Sequence, residues 1–279
     1  MSVPTLLTLP PELRNLIYKY VLTPDTTKNL QYCAGEEGRK AYLSTWTDDA
    51  GPNANVEFNK LKYVNRQLYA ETAALELVYT HGLVFRRLPG SEPGGATAVR
   101  FLLELSPKKC TWLSTIRIQE TLPQKESAVR GPHQATLRDS PETMSSLDKI
   151  CTEHPKLNVQ YQPPHWRLSS SDGPAWYHFF FIIGAIYAYL LRDREQSSIL
   201  TPFVELQIRD SQIVPAAKEW LSAAQPLRAP NLRFYPRLTT LDKDTRNLSL
   251  FTIPSAQLDP RVSVRDYKVH IQEWLSNGF

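Results

Sequence analysis

His178 is the side chain whose surroundings most invite a reactive role. It stands in Trp176-Tyr177-His178-Phe179-Phe180-Phe181-Ile182-Ile183, and an imidazole in an apolar setting can have its proton affinity tuned for catalysis. One histidine among aromatics is nevertheless the usual signature of a satisfied core residue. His133, His154 and His165 lack the spacing of a metal motif, and no cysteine pair joins them. Cys33, Cys110 and Cys151 are scattered without a Cys-x-x-Cys pair, which fits a reducing compartment better than a disulfide framework. The chain contains no Gly-x-Ser-x-Gly elbow, no His-Glu-x-x-His and no dinucleotide fingerprint. These residues argue against an enzyme: no catalytic or metal-binding residue is assigned and no cofactor is expected.

Other chemistry-bearing stretches point to recognition or to structure. Arg66 and Glu71 are charges beside an apolar seam, expected to anchor loop carbonyls and neighbouring amides because a half-buried charge needs partners. Pro89-Gly90-Ser91-Glu92-Pro93-Gly94-Gly95 lacks the Gly-Lys-Ser/Thr ending of a phosphate-cradling loop, so it reads as a linker. In Gln162-Pro163-Pro164-His165-Trp166-Arg167-Leu168, the trio His165, Trp166 and Arg167 is a candidate partner-binding lip, since Trp and Arg carry much interface energy. The alternative is that Trp166 packs over the end of a sheet. The polar segment 120–146 is expected to be a long loop, and Ser140-Pro141 within it a place for phosphorylation.

The elements that hold these residues follow from periodicity and punctuation. Pro10 and Pro11 can open a helix, because proline's fixed φ suits a first turn, and Glu12 then sits where the helix dipole favours an anion. Leu13, Leu16, Ile17, Tyr20 and Val21 recur at threes and fours and share a face. That face is expected to dock into the core while the collar of Leu6, Leu7 and Leu9 stays free. Leu30–Cys33 and Lys40–Trp46 read as a hairpin. Residues 57–80 read as one long helix with Phe58, Leu61, Val64, Leu68, Thr72, Leu75 and Tyr79 along one side, and His81–Phe85 reads as a short strand. Beyond the linker, helices at 96–106, 147–154, 174–194, 216–224 and 264–275 alternate with strands at 112–119, 157–161, 203–208, 232–235 and 248–253. The apolar run 176–191 falls short of the ~20 residues a membrane-spanning helix needs, and is expected to be a buried core helix.

Two blocks of sequence resemble a known module. Leu9, Pro10, Glu12, Leu13, Arg14, Ile17, Tyr18, Tyr20 and Leu22 match the opening helix of F-box-like domains found in large fungal families, which reads Leu-Pro-x-Glu-Leu-Arg-x-x-Ile-Tyr. Leu61-Lys62-Tyr63-Val64-Asn65-Arg66-Gln67-Leu68-Tyr69-Ala70-Glu71 looks like the partner helix of the same families, with Asn65 where they carry Cys. The resemblance covers residues 5–88. It implies a substrate adaptor of a cullin-RING ubiquitin ligase, with Leu7, Leu9, Pro10, Leu13 and Ile17 contacting a Skp-type adaptor. The hairpin between the two blocks departs from a standard F-box and could redirect that face.

Composition sets the outer bounds. With 42% hydrophobic and 22% charged residues, the chain reads as an ordinary soluble globular protein. A net charge of +4 from 32 basic and 28 acidic residues lacks the dense Lys/Arg clustering of a nucleic-acid binder. No secretory signal pattern opens the chain, so cytoplasmic or nuclear residence is expected. The expected architecture is α+β: an F-box-like helical module with an inserted hairpin (1–88), a linker (89–95) and an irregular α/β region (96–279) that binds a partner or target protein. The expected function is protein–protein interaction. The alternatives are a non-catalytic scaffold whose F-box-like helices only complete the core, and an enzyme or nucleic-acid binder with an unfamiliar site.

Overall fold

Alternating short segments build the centre of the molecule. The computed structural model describes residues 5–24, 29–33, 41–46, 57–80, 82–87, 92–120, 140–162, 226–235, 269, 273 and 276–278. Among the described residues six strands, β1 (Asn29–Cys33), β2 (Tyr42–Trp46), β3 (Leu83–Arg86), β4 (Thr115–Gln119), β5 (Asn158–Gln162) and β6 (Leu232–Phe234), form one sheet in the order β2-β1-β3-β4-β5-β6. β1 and β2 pair antiparallel, and every other neighbouring pair is parallel.

Successive side chains point to opposite faces of a strand, so the register sorts the sheet chemically. Leu30, Leu83, Ile116, Val159 and Leu232 align in one row, and Tyr32, Phe85, Ile118, Tyr161 and Phe234 in another on the same face. All but Tyr32 are buried. Each such side chain removed from water contributes about 1.5–3 kcal/mol before entropy is charged against it. The opposite face carries Gln31, Val84, Arg117, Gln160 and Arg233 in register.

Helices cover the apolar face. α4 (Gly94–Glu104) and the short α5 (Pro107–Cys110) connect β3 to β4, and α6 (Pro141–Glu153) precedes β5. Ala98 and Leu102 of α4 share one core with Met144, Leu147, Ile150 and Cys151 of α6 and both apolar rows. β3 to β6 are therefore laid down in chain order with their described helices on a single side. The class is α+β, as expected, and the sheet is mixed.

Several boundaries differ from expectation for identifiable reasons. α6 begins at Pro141 and not at Leu147, because Ser140 caps it: its hydroxyl accepts from the Thr143 amide at 3.3 Å, and Pro141 and Glu142 suit a first turn. Residues 141–146 are thus helix and not loop, whereas 121–139 lie outside the described residues. The expected single helix over 57–80 is three pieces: a 3-10 turn at Leu61–Tyr63, α2 (Arg66–Thr72) and α3 (Leu75–Tyr79). Extended Asn65 starts α2 afresh by accepting from the Leu68 amide at 2.8 Å, and Ala74 at φ 73° breaks it from α3. The hairpin is present as β1–β2. β1 also pairs with β3, so the hairpin widens the central sheet. Gly94 and Gly95, expected in the linker, form the buried first turn of α4, and the sheet draws strands from both sides of that stretch.

The elements expected at 174–194, 203–208, 216–224 and 248–253, with His178, lie outside the described residues. Of the closing helix expected over 264–275, Val269 and Glu273 are helical, as are Ser276 and Asn277 beyond it. The turn into β6 is tied to α6. Asp148 Oδ1 accepts from the Arg228 and Ala229 amides at 2.8 Å each. Asn231 Nδ2 faces the carbonyls of Cys151, His154 and Leu157 at 3.0, 3.1 and 2.6 Å.

Candidate protein-docking site

The N-terminal collar is assembled by local chemistry. Thr5 and Thr8 close a 3-10 turn over Leu6–Thr8: the Thr5 amide donates to Thr8 Oγ1 at 3.1 Å, and the Thr8 hydroxyl donates to the Thr5 carbonyl at 2.7 Å. Leu9 and Pro10 are extended, and Pro11 opens α1 (Pro11–Leu22) with Glu12 in its first turn and Lys19 in its last. Both charges suit the helix dipole.

What fixes α1 is a hydrogen-bond node on its inner side. Glu71 of α2 accepts from Arg14 Nε at 3.0 Å, Arg14 Nη2 at 2.8 Å, the Tyr18 hydroxyl at 2.6 Å and Gln67 Nε2 at 2.9 Å. A third Arg14 donor, Nη1, reaches the Leu9 carbonyl at 2.7 Å. A bidentate guanidinium–carboxylate pair is directional as well as charged, and here it fastens the first helix, its collar and the second helix together. The bonds from Arg14, then those from Tyr18 and Gln67, hold the Glu71 carboxyl down at about 2. Burial, then the hydrogen bond to Glu71, pushes the Tyr18 phenol above its usual range. A carboxylate saturated by four donors is a fastener and not a proton-transfer group.

Below the node, Tyr18, Leu22 and Leu68 form a small core with Leu6, Leu7, Phe58, Leu61, Leu75 and Tyr79 packed against it. The face of α1 expected to enter the core is the outer one. Leu16 is 63% exposed and Tyr20 87%, and Leu13, Ile17 and Val21 are exposed with them, whereas Tyr18 is fully buried. The reason is that Arg14, Tyr18 and Leu22, four residues apart, make a competing inward face whose polar groups Glu71 satisfies. Further along the module Tyr63, Val64 and Tyr69 are exposed too. Tyr63 donates to Glu57 Oε2 at 2.6 Å, and that bond leads the causes that push its phenol up to about 12.

Of the residues singled out from sequence, Leu7 and Leu9 are half-buried, while Pro10, Leu13 and Ile17 are exposed. The structure therefore brings the candidate adaptor contacts together around the collar and the outer side of α1. Leu16, Tyr20 and Val21 belong to that outer side and not to the core; sequence periodicity offers the stripe without its direction. Glu71 anchors neighbours as expected, though through Arg14, Tyr18 and Gln67. Arg66 is exposed and takes no part in the node. His165, Trp166 and Arg167 lie outside the described residues.

Among the described residues no group of three or more His, Cys, Asp or Glu could hold a metal ion, and Cys33, Cys110 and Cys151 form no disulfide. No described helix is long and apolar enough to cross a membrane. Fold and site together define an α+β protein whose N-terminal helices present an apolar surface outward. Comparison with protein-family models, curated proteins and solved structures returned no match for this chain.

Proposed function

We propose that this chain is a protein–protein interaction module that docks a partner on the outer side of α1 and the Leu9-Pro10 collar. The carrying observation is the outward apolar stripe of Leu13, Leu16, Ile17 and Tyr20 on a helix whose inner side is already fully engaged. Surface tyrosines and aliphatic residues gathered on one helix face are what interfaces exploit, since a few such side chains supply most of the binding energy. The partner favoured by the sequence resemblance is a Skp-type adaptor, which makes the chain an F-box-like substrate adaptor of a cullin-RING ubiquitin ligase. In that role the chain performs recognition only, and ubiquitin transfer belongs to other subunits.

The test is a pull-down or titration of the full chain with a Skp-type adaptor. Leu13→Ala with Ile17→Ala, and separately Leu9→Ala with Pro10→Ala, should each weaken binding at least tenfold. Absence of binding by the wild-type chain rejects the ligase role. The scaffold alternative would have Leu9, Pro10 and Ile17 buried against the C-terminal region; Leu9 is half-buried while Pro10 and Ile17 are exposed, which favours the docking reading.

A further inference from the structure

α1 carries two candidate inward faces. One is the apolar stripe of Leu13, Leu16, Ile17 and Tyr20, which hydrophobic burial alone would turn inward. The other contains Arg14, Tyr18 and Leu22, and it is this face that packs on Leu68. Turning it inward leaves the Arg14 side chain only 11% exposed, and a cation held away from water without a partner is costly enough to outweigh a few leucines. Glu71 supplies the partner. Through Arg14 Nη1 and the Leu9 carbonyl, the same carboxylate also fixes the turn that precedes Pro10. Arg14, Tyr18, Gln67 and Glu71 come from the two separate blocks that resemble the F-box-like module, and all four converge on one node.

We infer that Glu71 is the positioning residue of the docking surface, an assignment that rests on the docking reading above. It hydrogen-bonds none of Leu9, Pro10, Leu13 or Ile17, yet it sets the rotation of α1 and the path of the collar, and so decides that the apolar stripe faces out. Without that carboxylate the helix gains more by exposing Arg14 and burying the stripe.

The experiment uses the full chain with Leu16→Cys as a probe in a Cys33→Ser background, Cys110 and Cys151 being buried. Maleimide labelling of the probe is fast when Glu71 is present. Glu71→Ala should slow it at least fivefold, and Glu71→Gln should slow it less but in the same direction. A mutation that merely loosened the fold would speed labelling, so the sign separates positioning from stability. Unchanged or faster labelling in both variants overturns the inference, as does failure of both to fold. Adaptor affinity is measured separately in chains that keep Leu16, and should fall in Glu71→Ala although every docking side chain is intact. If the wild-type chain binds no adaptor, the docking reading falls while the labelling still decides what Glu71 does.

Discussion

Gly94 and Glu120 meet at the end of the sheet: the amide that begins α4 donates to a carboxylate standing just past the last residue of β4. Glu120 is fully buried there, where the positive end of the helix favours an anion. A Cβ on residue 94 would lie 2.9 Å from Glu120 Oε1 and 3.3 Å from both Ile118 Cγ2 and the Phe85 carbonyl oxygen. Gly94→Ala must therefore push the carboxylate or the strand aside. Overpacking of this kind costs about 1–3 kcal/mol; urea denaturation should show a lower midpoint with an unchanged m-value.

The two sides of α1 should respond oppositely to substitution. Leu16→Ser, on the outer side, is expected to change stability by no more than ~0.5 kcal/mol. Leu22→Ala, at 1% exposure, is expected to cost about 2–5 kcal/mol by lost burial and the cavity left behind. Chemical denaturation of the two variants decides the point, and a large loss for Leu16→Ser would reverse the assignment of faces.

Removing only the hydroxyl of Tyr18 isolates one spoke of the node. Tyr18→Phe keeps the ring in its core and deletes the donor that reaches Glu71 at 2.6 Å. A hydrogen bond to a charged group contributes about 1.5–3 kcal/mol, so stability should drop by that much while adaptor binding is kept, because Arg14 still holds the helix.

Acid should weaken the module through Glu71. Its folded carboxyl titrates at about 2 against an ordinary 4.5, so above 4.5 both folded and unfolded chains carry the charge and the stabilisation is fully present. Below 4.5 the unfolded chain takes up the proton first and unfolding becomes easier, until the folded carboxyl is protonated near 2. Between pH 4.5 and 2 the wild type should lose stability more steeply than Glu71→Gln. Parallel slopes across that window would rule out the node as the source.

Asn231 makes a further point testable. Its amide faces three carbonyls between α6 and β5, so Asn231→Ala strips partners from part-buried backbone acceptors. Although the His154 carbonyl keeps the Leu157 amide, loss of the Asn231 hydrogen bonds should cost about 1–3 kcal/mol. Amide exchange should accelerate first in β6 and the end of α6, ahead of β3 and β4.

How far the sequence could be read depended on whether a feature was local. Period-two alternation reveals β4 and β5, glycine and proline punctuation sets off the runs of the β1–β2 hairpin, and Pro10-Pro11 announces α1 because proline constrains its own turn. The stripe on α1 was visible as well, but periodicity says which side chains share a face and is silent on which face is inside. That choice depends on Glu71, which lies 57 residues beyond Arg14, a separation no local pattern spans. The break in the 57–80 helix is partly legible: Asn65, besides departing from the family pattern, is a residue type that caps helices, whereas left-handed Ala74 has no sequence signal. Ser140-Pro141-Glu142 is a local helix start, obscured in the sequence by polar neighbours that suggest a loop.

The placement of β1 between β2 and β3 has a consequence for dividing the molecule. β3 is matched to β4 at four consecutive positions, Leu83 with Ile116 through Arg86 with Gln119. The backbone between Arg87 and Glu92 therefore joins two parts of one sheet. Cut there, the polypeptide would yield fragments with complementary raw strand edges, each carrying half of a shared interior. Such fragments should reassociate on mixing, which makes this position a natural site for a split-protein reporter.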